Sequence, residues 1–138
     1  MDRKEFLALL GTGTAVVLCS AFLKACKPLD QITSPSTNVD FTLDLTAPAN
    51  NALKNIGGYI YNDNIIIAHV NDGSYVAVSS ICTHQGGTVA YQTNGNEFHC
   101  PNHGSNFATN GSVINGPANS PLVTYKTSLN GTQLRITS

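Results

Sequence analysis

Two short stretches constrain this chain more than anything else in it: Ile81-Cys82-Thr83-His84-Gln85-Gly86-Gly87 and His99-Cys100-Pro101-Asn102-His103-Gly104-Ser105. Each sets one thiol and one imidazole within a few residues of each other, beside glycines that admit backbone angles closed to other residues. Fifteen residues separate His84 from Cys100, with Asn94-Gly95 near their middle. Tyr91-Gln92-Thr93 and Asn96-Glu97-Phe98 flank that pair, as strands flank the two-residue turn of a hairpin. A fold that satisfies both stretches returns the chain on itself and sets the two loops face to face.

The remainder of the chain supplies a framework of the matching kind. From Asp40 onward, short β-prone runs alternate with Asn, Asp and Gly. Strands are expected over residues 41–45, 59–61, 65–70, 75–79, 122–127 and 133–136, with more near Tyr91, Phe98 and Val113. Asn71-Asp72-Gly73-Ser74, Asn94-Gly95, Asn110-Gly111 and Asn130-Gly131 each supply residues that tolerate positive φ, so four antiparallel reversals follow. No stretch after residue 40 keeps helical spacing over three turns, although residues 47–56 can hold one short helical turn before Gly57-Gly58. The fold class is all-β, and 138 residues without internal repeats bound a single folded domain over residues 40–138.

The N-terminal residues have a different character. Arg3 and Lys4 precede an apolar run over residues 6–23, which is a charged region followed by a hydrophobic one, as in an export signal. The run ends at Leu23-Lys24-Ala25-Cys26 and resembles a bacterial lipoprotein signal, in which a small residue before cysteine permits cleavage and the cysteine carries the lipid. Cys26 is therefore the candidate lipidation site. Arg3-Lys4-Glu5-Phe6-Leu7 also resembles a twin-arginine export signal, with Lys4 where the second arginine stands. The alternative is a retained membrane helix, since 18 residues lie near the lower limit for spanning the hydrocarbon core. Residues 1–26 thus read as export signal or anchor, and residues 27–39, rich in Pro, Ser and Thr, as a flexible tether. The expected location is the bacterial cell envelope, exported and tethered to the membrane.

Charge excludes one class of partner. The formal net charge is -1 and charged residues make up 11% of the chain, so the basic footprint that nucleic acid requires is absent. Of the four cysteines, Cys19 and Cys26 belong to the N-terminal region, which leaves Cys82 and Cys100 to the folded part.

Thiolate and imidazole together suit zinc, copper or an iron-sulfur centre, so donor identity alone leaves the metal open. A tetrahedral Cys2His2 zinc site and a disulfide between Cys82 and Cys100 are the simpler readings of the same residues. His69 and His99 fit neither loop pattern and read as strand residues. The context of the four donors is more specific. Cys82 to Gly86 and Cys100 to Ser105 resemble the paired C-x-H-x-G and C-x-x-H-G-S motifs of the Rieske family. Downstream, Gly116-Pro117-Ala118-Asn119-Ser120-Pro121-Leu122 resembles the proline loop that packs over the cluster in those proteins.

The resemblance covers about residues 40–138 and implies a Rieske-type antiparallel β sandwich with two cluster-binding loops. It implies a 2Fe-2S cluster in which Cys82 and Cys100 bind one iron while His84 and His103 bind the other. Two neutral imidazoles in place of two thiolates make such a cluster less negative and raise its potential above that of an all-cysteine ferredoxin. High-potential members join the loops by a disulfide whose positions here are Gly87 and Asn102, and they add a serine and a tyrosine hydroxyl near the sulfurs. Ser105 is retained as the cluster-tuning serine, whereas Phe107 stands at the tyrosine position. The implied function is one-electron transfer, either as a carrier with a redox protein partner or as the Rieske subunit of a larger quinol or small-molecule oxidoreductase complex. In neither case does the chain hold a substrate site of its own.

Overall fold

The computed structural model describes residues 35–138. The export segment with Cys26 and most of the tether lie outside the described residues. Ten strands follow in order: β1 (Asp40–Asp44), β2 (Tyr59–Asn62), β3 (Ile65–His69), β4 (Tyr75–Ser79), β5 (Ala90–Gln92), β6 (Glu97–His99), β7 (Asn106–Ala108), β8 (Val113–Asn115), β9 (Thr124–Asn130) and β10 (Gln133–Thr137). A 3-10 helix at Pro48–Lys54 joins β1 to β2. Among the described residues, no helix is long and apolar enough to cross a membrane.

The strands form a six-stranded sheet in the order β1-β10-β9-β4-β3-β2 and a four-stranded sheet in the order β5-β6-β7-β8, with every pairing antiparallel. The continuous apolar run in β3 explains why the large sheet is covered on both faces. Successive strand residues point to opposite sides, and Ile65, Ile66, Ile67 and Ala68 are all buried. Ile65 and Ile67 join a core with Leu43, Leu53, Leu134 and Ile136. Ile66 and Ala68 join a second core with Val78, Val89, Phe98, Phe107 and both loop cysteines. This second core lies between the large sheet and the small one, so the sulfurs sit at the seam of the sandwich.

Expected and observed strands agree for the large sheet and differ in the small one. β7 has no expected counterpart: only Phe107 of Asn106-Phe107-Ala108 is buried, and one apolar position makes no alternating pattern to read. The β5–β6 hairpin also turns differently from the expected two-residue reversal. Gln92 pairs with Glu97, which leaves a four-residue loop whose Asn96 N–H donates to the Thr93 carbonyl at 3.2 Å. The left-handed residue is Asn96, at φ 50°. Its side chain accepts the Tyr91 hydroxyl at 2.7 Å, a bond that rewards asparagine at the end of the turn. The residues expected to hold a short helical turn do so as the 3-10 helix, which sends Leu53 fully into the core.

Candidate metal centre

Two loops of the same backbone design carry the four donors. The first follows β4, where a bridge between Ile81 and Thr88 closes its base. The Cys82 N–H donates to the Gly87 carbonyl at 2.7 Å, and the Gly86 N–H returns to the Cys82 carbonyl at 2.9 Å. The second loop connects β6 to β7 and repeats both bonds: Cys100 N–H to Ser105 carbonyl at 2.8 Å, and Gly104 N–H to Cys100 carbonyl at 2.9 Å. The fifth residue of each loop is a glycine in the left-handed region, Gly86 at φ 75° and Gly104 at φ 83°. A β-carbon there costs roughly 1–2 kcal/mol, so both turns require glycine.

This backbone buries the sulfurs and leaves the imidazoles near the surface. Cys82 and Cys100 are each 2% exposed, whereas His84 is half-buried and His103 exposed. The two rings meet edge to face with centroids 4.8 Å apart. Burial pushes the Cys82 thiol up; the N–H groups of His84 and Gln85 directed at the sulfur work in the other direction, and neighbouring Cys100 adds to the rise. A buried thiol such as Cys82 resists ionisation unless a cation joins it, while amides aimed at sulfur favour the thiolate.

Three loops close over the donors. The Thr83 hydroxyl donates to the Ser120 carbonyl at 2.6 Å, which ties the first loop to residues 116–122. Ser105 is fully buried, and its Oγ accepts the Ala118 N–H at 3.0 Å, which ties the second loop to the same residues. The Gly116-Pro117 peptide is cis. Gly87 faces Asn102 across the gap: a β-carbon built on Gly87 would lie 2.5 Å from Asn102 Nδ2 and 3.1 Å from Cys100 Sγ. The expected pair of disulfide-replacing positions is thus in contact. Phe107 lies fully buried in β7, in the same core as Cys82 and Cys100.

The residues fit a cluster held by two donors at each of two metals. Among the described residues, the buried side-chain polar atoms without a hydrogen-bond partner are Nδ1 of His69 and Nδ1 of His84. An unpartnered buried nitrogen is costly in a finished structure, and at His84 it stands in the same loop as a buried thiol. No three His, Cys, Asp or Glu side chains among the described residues gather about one ion; a two-plus-two donor set does not need them to. His69 lies on β3, stacked on Tyr75 with ring centroids 4.4 Å apart. His99 is held by Asn106 through Nδ1 at 2.5 Å. Both are strand residues, as expected. Thr83 and Asn115 have no role assigned from the sequence: a threonine or asparagine in a loop is ordinary turn composition, and only the partners show what each one holds.

Comparison with known proteins agrees with this geometry. A model of the Rieske [2Fe-2S] domain matches residues 46–126. The cytochrome b6-f complex iron-sulfur subunit of Chlorobaculum tepidum is 32% identical over 128 residues, covering 91% of this chain and 69% of that protein. The corresponding subunit of Prochlorococcus marinus strain MIT 9301 is 30% identical over 135 residues, covering 86% and 74%. Among solved structures, the plasma membrane Rieske protein of the cyanobacterium Synechocystis PCC 6803 superposes with a TM-score of 0.52 at 29% identity, over 75% of this chain and all of that one. The ferredoxin of carbazole 1,9a-dioxygenase from Nocardioides aromaticivorans IC177, 23% identical with a TM-score of 0.52 over 74% of this chain and 98% of that one, shares the fold. The chain belongs to the Rieske [2Fe-2S] domain family, with a Rieske 2Fe-2S cluster as its cofactor and one-electron transfer as its function.

Proposed function

We propose that Cys82 and Cys100 hold one iron of the cluster through sulfur and that His84 and His103 hold the other through ring nitrogen. The observation that carries this reading is the pair of matching loops, which buries two thiols side by side and leaves His84 Nδ1 buried without a partner. When bound, the cluster supplies a one-electron store whose potential is raised by the two imidazoles. The chain's own residues do the rest. The amides of His84 and Gln85 direct their protons at the Cys82 sulfur and favour its thiolate. Ser105 accepts from Ala118 and so retains its own hydroxyl proton to donate. The apolar core beneath the sulfurs, with Phe98 and Phe107, excludes water from that side. His103, exposed and in edge contact with His84, is the side from which an electron leaves or enters.

The cellular setting belongs to the same proposal. Residues 1–26 direct export, Cys26 carries a lipid anchor, residues 27–39 form the tether and residues 40–138 are the electron-transfer domain. The partner is a membrane oxidoreductase complex, a reading supported by relatives that are subunits of the cytochrome b6-f complex and by the plasma membrane protein of similar structure. The test of the cofactor is the electron paramagnetic resonance spectrum of the dithionite-reduced protein together with iron and labile-sulfide content. A rhombic 2Fe-2S signal lost in Cys82→Ser and in His103→Ala is expected; zinc without sulfide, or a signal that survives both variants, refutes the ligand set.

A further inference from the structure

A chain of side-chain amides runs from β6 to the second cluster loop. Asn106 Oδ1 takes up Nδ1 of His99 at 2.5 Å. Asn106 Nδ2 donates to Asn115 Oδ1 at 2.8 Å. Asn115 Nδ2 then donates to two carbonyls, that of Gly104 at 2.9 Å and that of Gly116 at 3.1 Å. The polarity of the chain is forced: only an Asn115 amide with its nitrogen toward the carbonyls supplies both with a proton and leaves an oxygen for Asn106.

The two carbonyls belong to different loops. Gly104 directly follows His103 and directly precedes Ser105, while Gly116 opens the segment whose Ala118 N–H binds Ser105 Oγ. The Gly104 N–H is already engaged by the Cys100 carbonyl, so the bond from Asn115 leaves this glycine held at both its donor and its acceptor. One amide therefore fixes the backbone before Ser105 and the start of the strand of chain lying over it.

We infer that Asn115 is a positioning residue for the electron transfer, setting the Ser105 hydroxyl against the cluster by clamping Gly104 to Gly116, with Asn106 and His99 bracing it from behind. This rests on the ligand reading given above. The Asn115 amide makes no hydrogen bond to any of the four donors and acts through Ser105. Its bonds lie at the surface, where water competes; its effect is on geometry more than on stability. A freed Gly104 peptide would let the Ser105 hydroxyl leave the position in which the Ala118 N–H holds it, and its proton would no longer be aimed at a bound cluster.

The test is a double-mutant cycle read by voltammetry on cluster-loaded protein: the parent, Ser105→Ala, Asn115→Ala and the double variant. Asn115→Ala is expected to lower the midpoint potential, in the same direction as Ser105→Ala and by less, and to add nothing in the Ser105→Ala background. Should Asn115→Ala fail to load, Asn106→Ala, which removes the brace and leaves Asn115 in place, is expected to give a smaller shift of the same sign. An unchanged potential in the Asn115→Ala protein, or in Asn106→Ala where that is the one that loads, overturns the inference, as do shifts that add in the double variant. A parent protein without the 2Fe-2S spectrum removes the ligand reading and this inference with it, whereas an unshifted variant of a parent that has the spectrum removes this inference alone.

Discussion

The contact between Gly87 and Asn102 makes a covalent test of the loop geometry available. In the double variant Gly87→Cys/Asn102→Cys, a disulfide should form between the two loops without backbone movement. A β-carbon on Gly87 lies 2.8 Å from Asn102 Cγ, and in a disulfide each Cβ stands about 3 Å from the opposite sulfur, as an S–S bond of about 2.05 Å requires. Gly87 does not lie in the left-handed region, so cysteine adds no backbone strain there. The close approach to Cys100 Sγ, at 3.1 Å, costs something, but it is common to the reduced and oxidised forms and cancels between them. The cross-link closes a loop of about 15 residues, for which chain entropy sets a ceiling near 3 kcal/mol. With a urea slope of about 1–3 kcal/mol/M for a small domain, the unfolding midpoint should rise by roughly 1–3 M on oxidation. The assay is urea unfolding of the loaded double variant with and without a mild thiol reductant, alongside thiol titration of the folded protein. Two free thiols at these positions under air, or midpoints that coincide in both conditions, would show that the loops do not face each other as described.

Two further expectations follow from the glycines and from the sulfur environment. Gly104 and Gly111 share left-handed φ values of 83° and 88°, but a β-carbon on Gly104 meets nothing within 4 Å while one on Gly111 meets the Leu122 carbonyl oxygen at 2.7 Å. Gly104→Ala should therefore cost about 1–2 kcal/mol from handedness alone and Gly111→Ala clearly more, so that thermal melts rank them; equal losses would contradict the packing around Gly111. The reduction potential should fall inside the Rieske range of about -150 to +300 mV, since Ser105 is present and Phe107 offers no hydroxyl, and Phe107→Tyr should raise it. A parent value at the upper extreme, or no rise in Phe107→Tyr, would overturn that accounting.

Much of the large sheet was legible because its strands carry an alternating or continuous apolar signal. Ile65-Ile66-Ile67-Ala68 can hardly be anything but a strand covered on both faces, and Tyr75–Ser79 agrees residue for residue. The small sheet was harder to read because it is built from three-residue strands, too short for periodicity to register. The four candidate donors stand out in the sequence because thiol, imidazole and glycine recur at matched spacing, which is a local property. The residues that hold the loops together do not, because Thr83 to Ser120, Ser105 to Ala118 and Asn115 to Gly104 are contacts between segments 37, 13 and 11 residues apart. Nothing in one segment announces the other. The β5–β6 turn shows the same limit: Asn94-Gly95 satisfies turn chemistry, yet the left-handed position goes to Asn96, whose side chain is engaged by Tyr91 of the same hairpin and by Asn71, 25 residues away.

The equivalence of the two loops accounts for the division of labour between sulfur and imidazole. Both loops place cysteine first, return its carbonyl to the N–H of the fifth residue and its N–H to the carbonyl of the sixth. Equal backbones set both sulfurs against the same core, so Cys82 and Cys100 are buried alike. The histidines break the symmetry, since His84 is the third residue of its loop and His103 the fourth of its own. A shift of one position turns the side chains so that the rings meet edge to face instead of stacking, and it leaves one half-buried and the other open to solvent. With the proposed ligands, the thiolate side lies inside the sandwich, where the low dielectric and directed amides hold it steady. The imidazole side faces outward, where a redox partner can approach closely. Moving His103 to the third position of its loop, by exchanging Asn102 and His103, would restore the symmetry at the cost of the exposed edge. The exchanged protein should lose the 2Fe-2S spectrum or retain it with slowed electron exchange to an external acceptor. A protein that kept both the spectrum and the parent exchange rate would show that the offset between the histidines has no functional part.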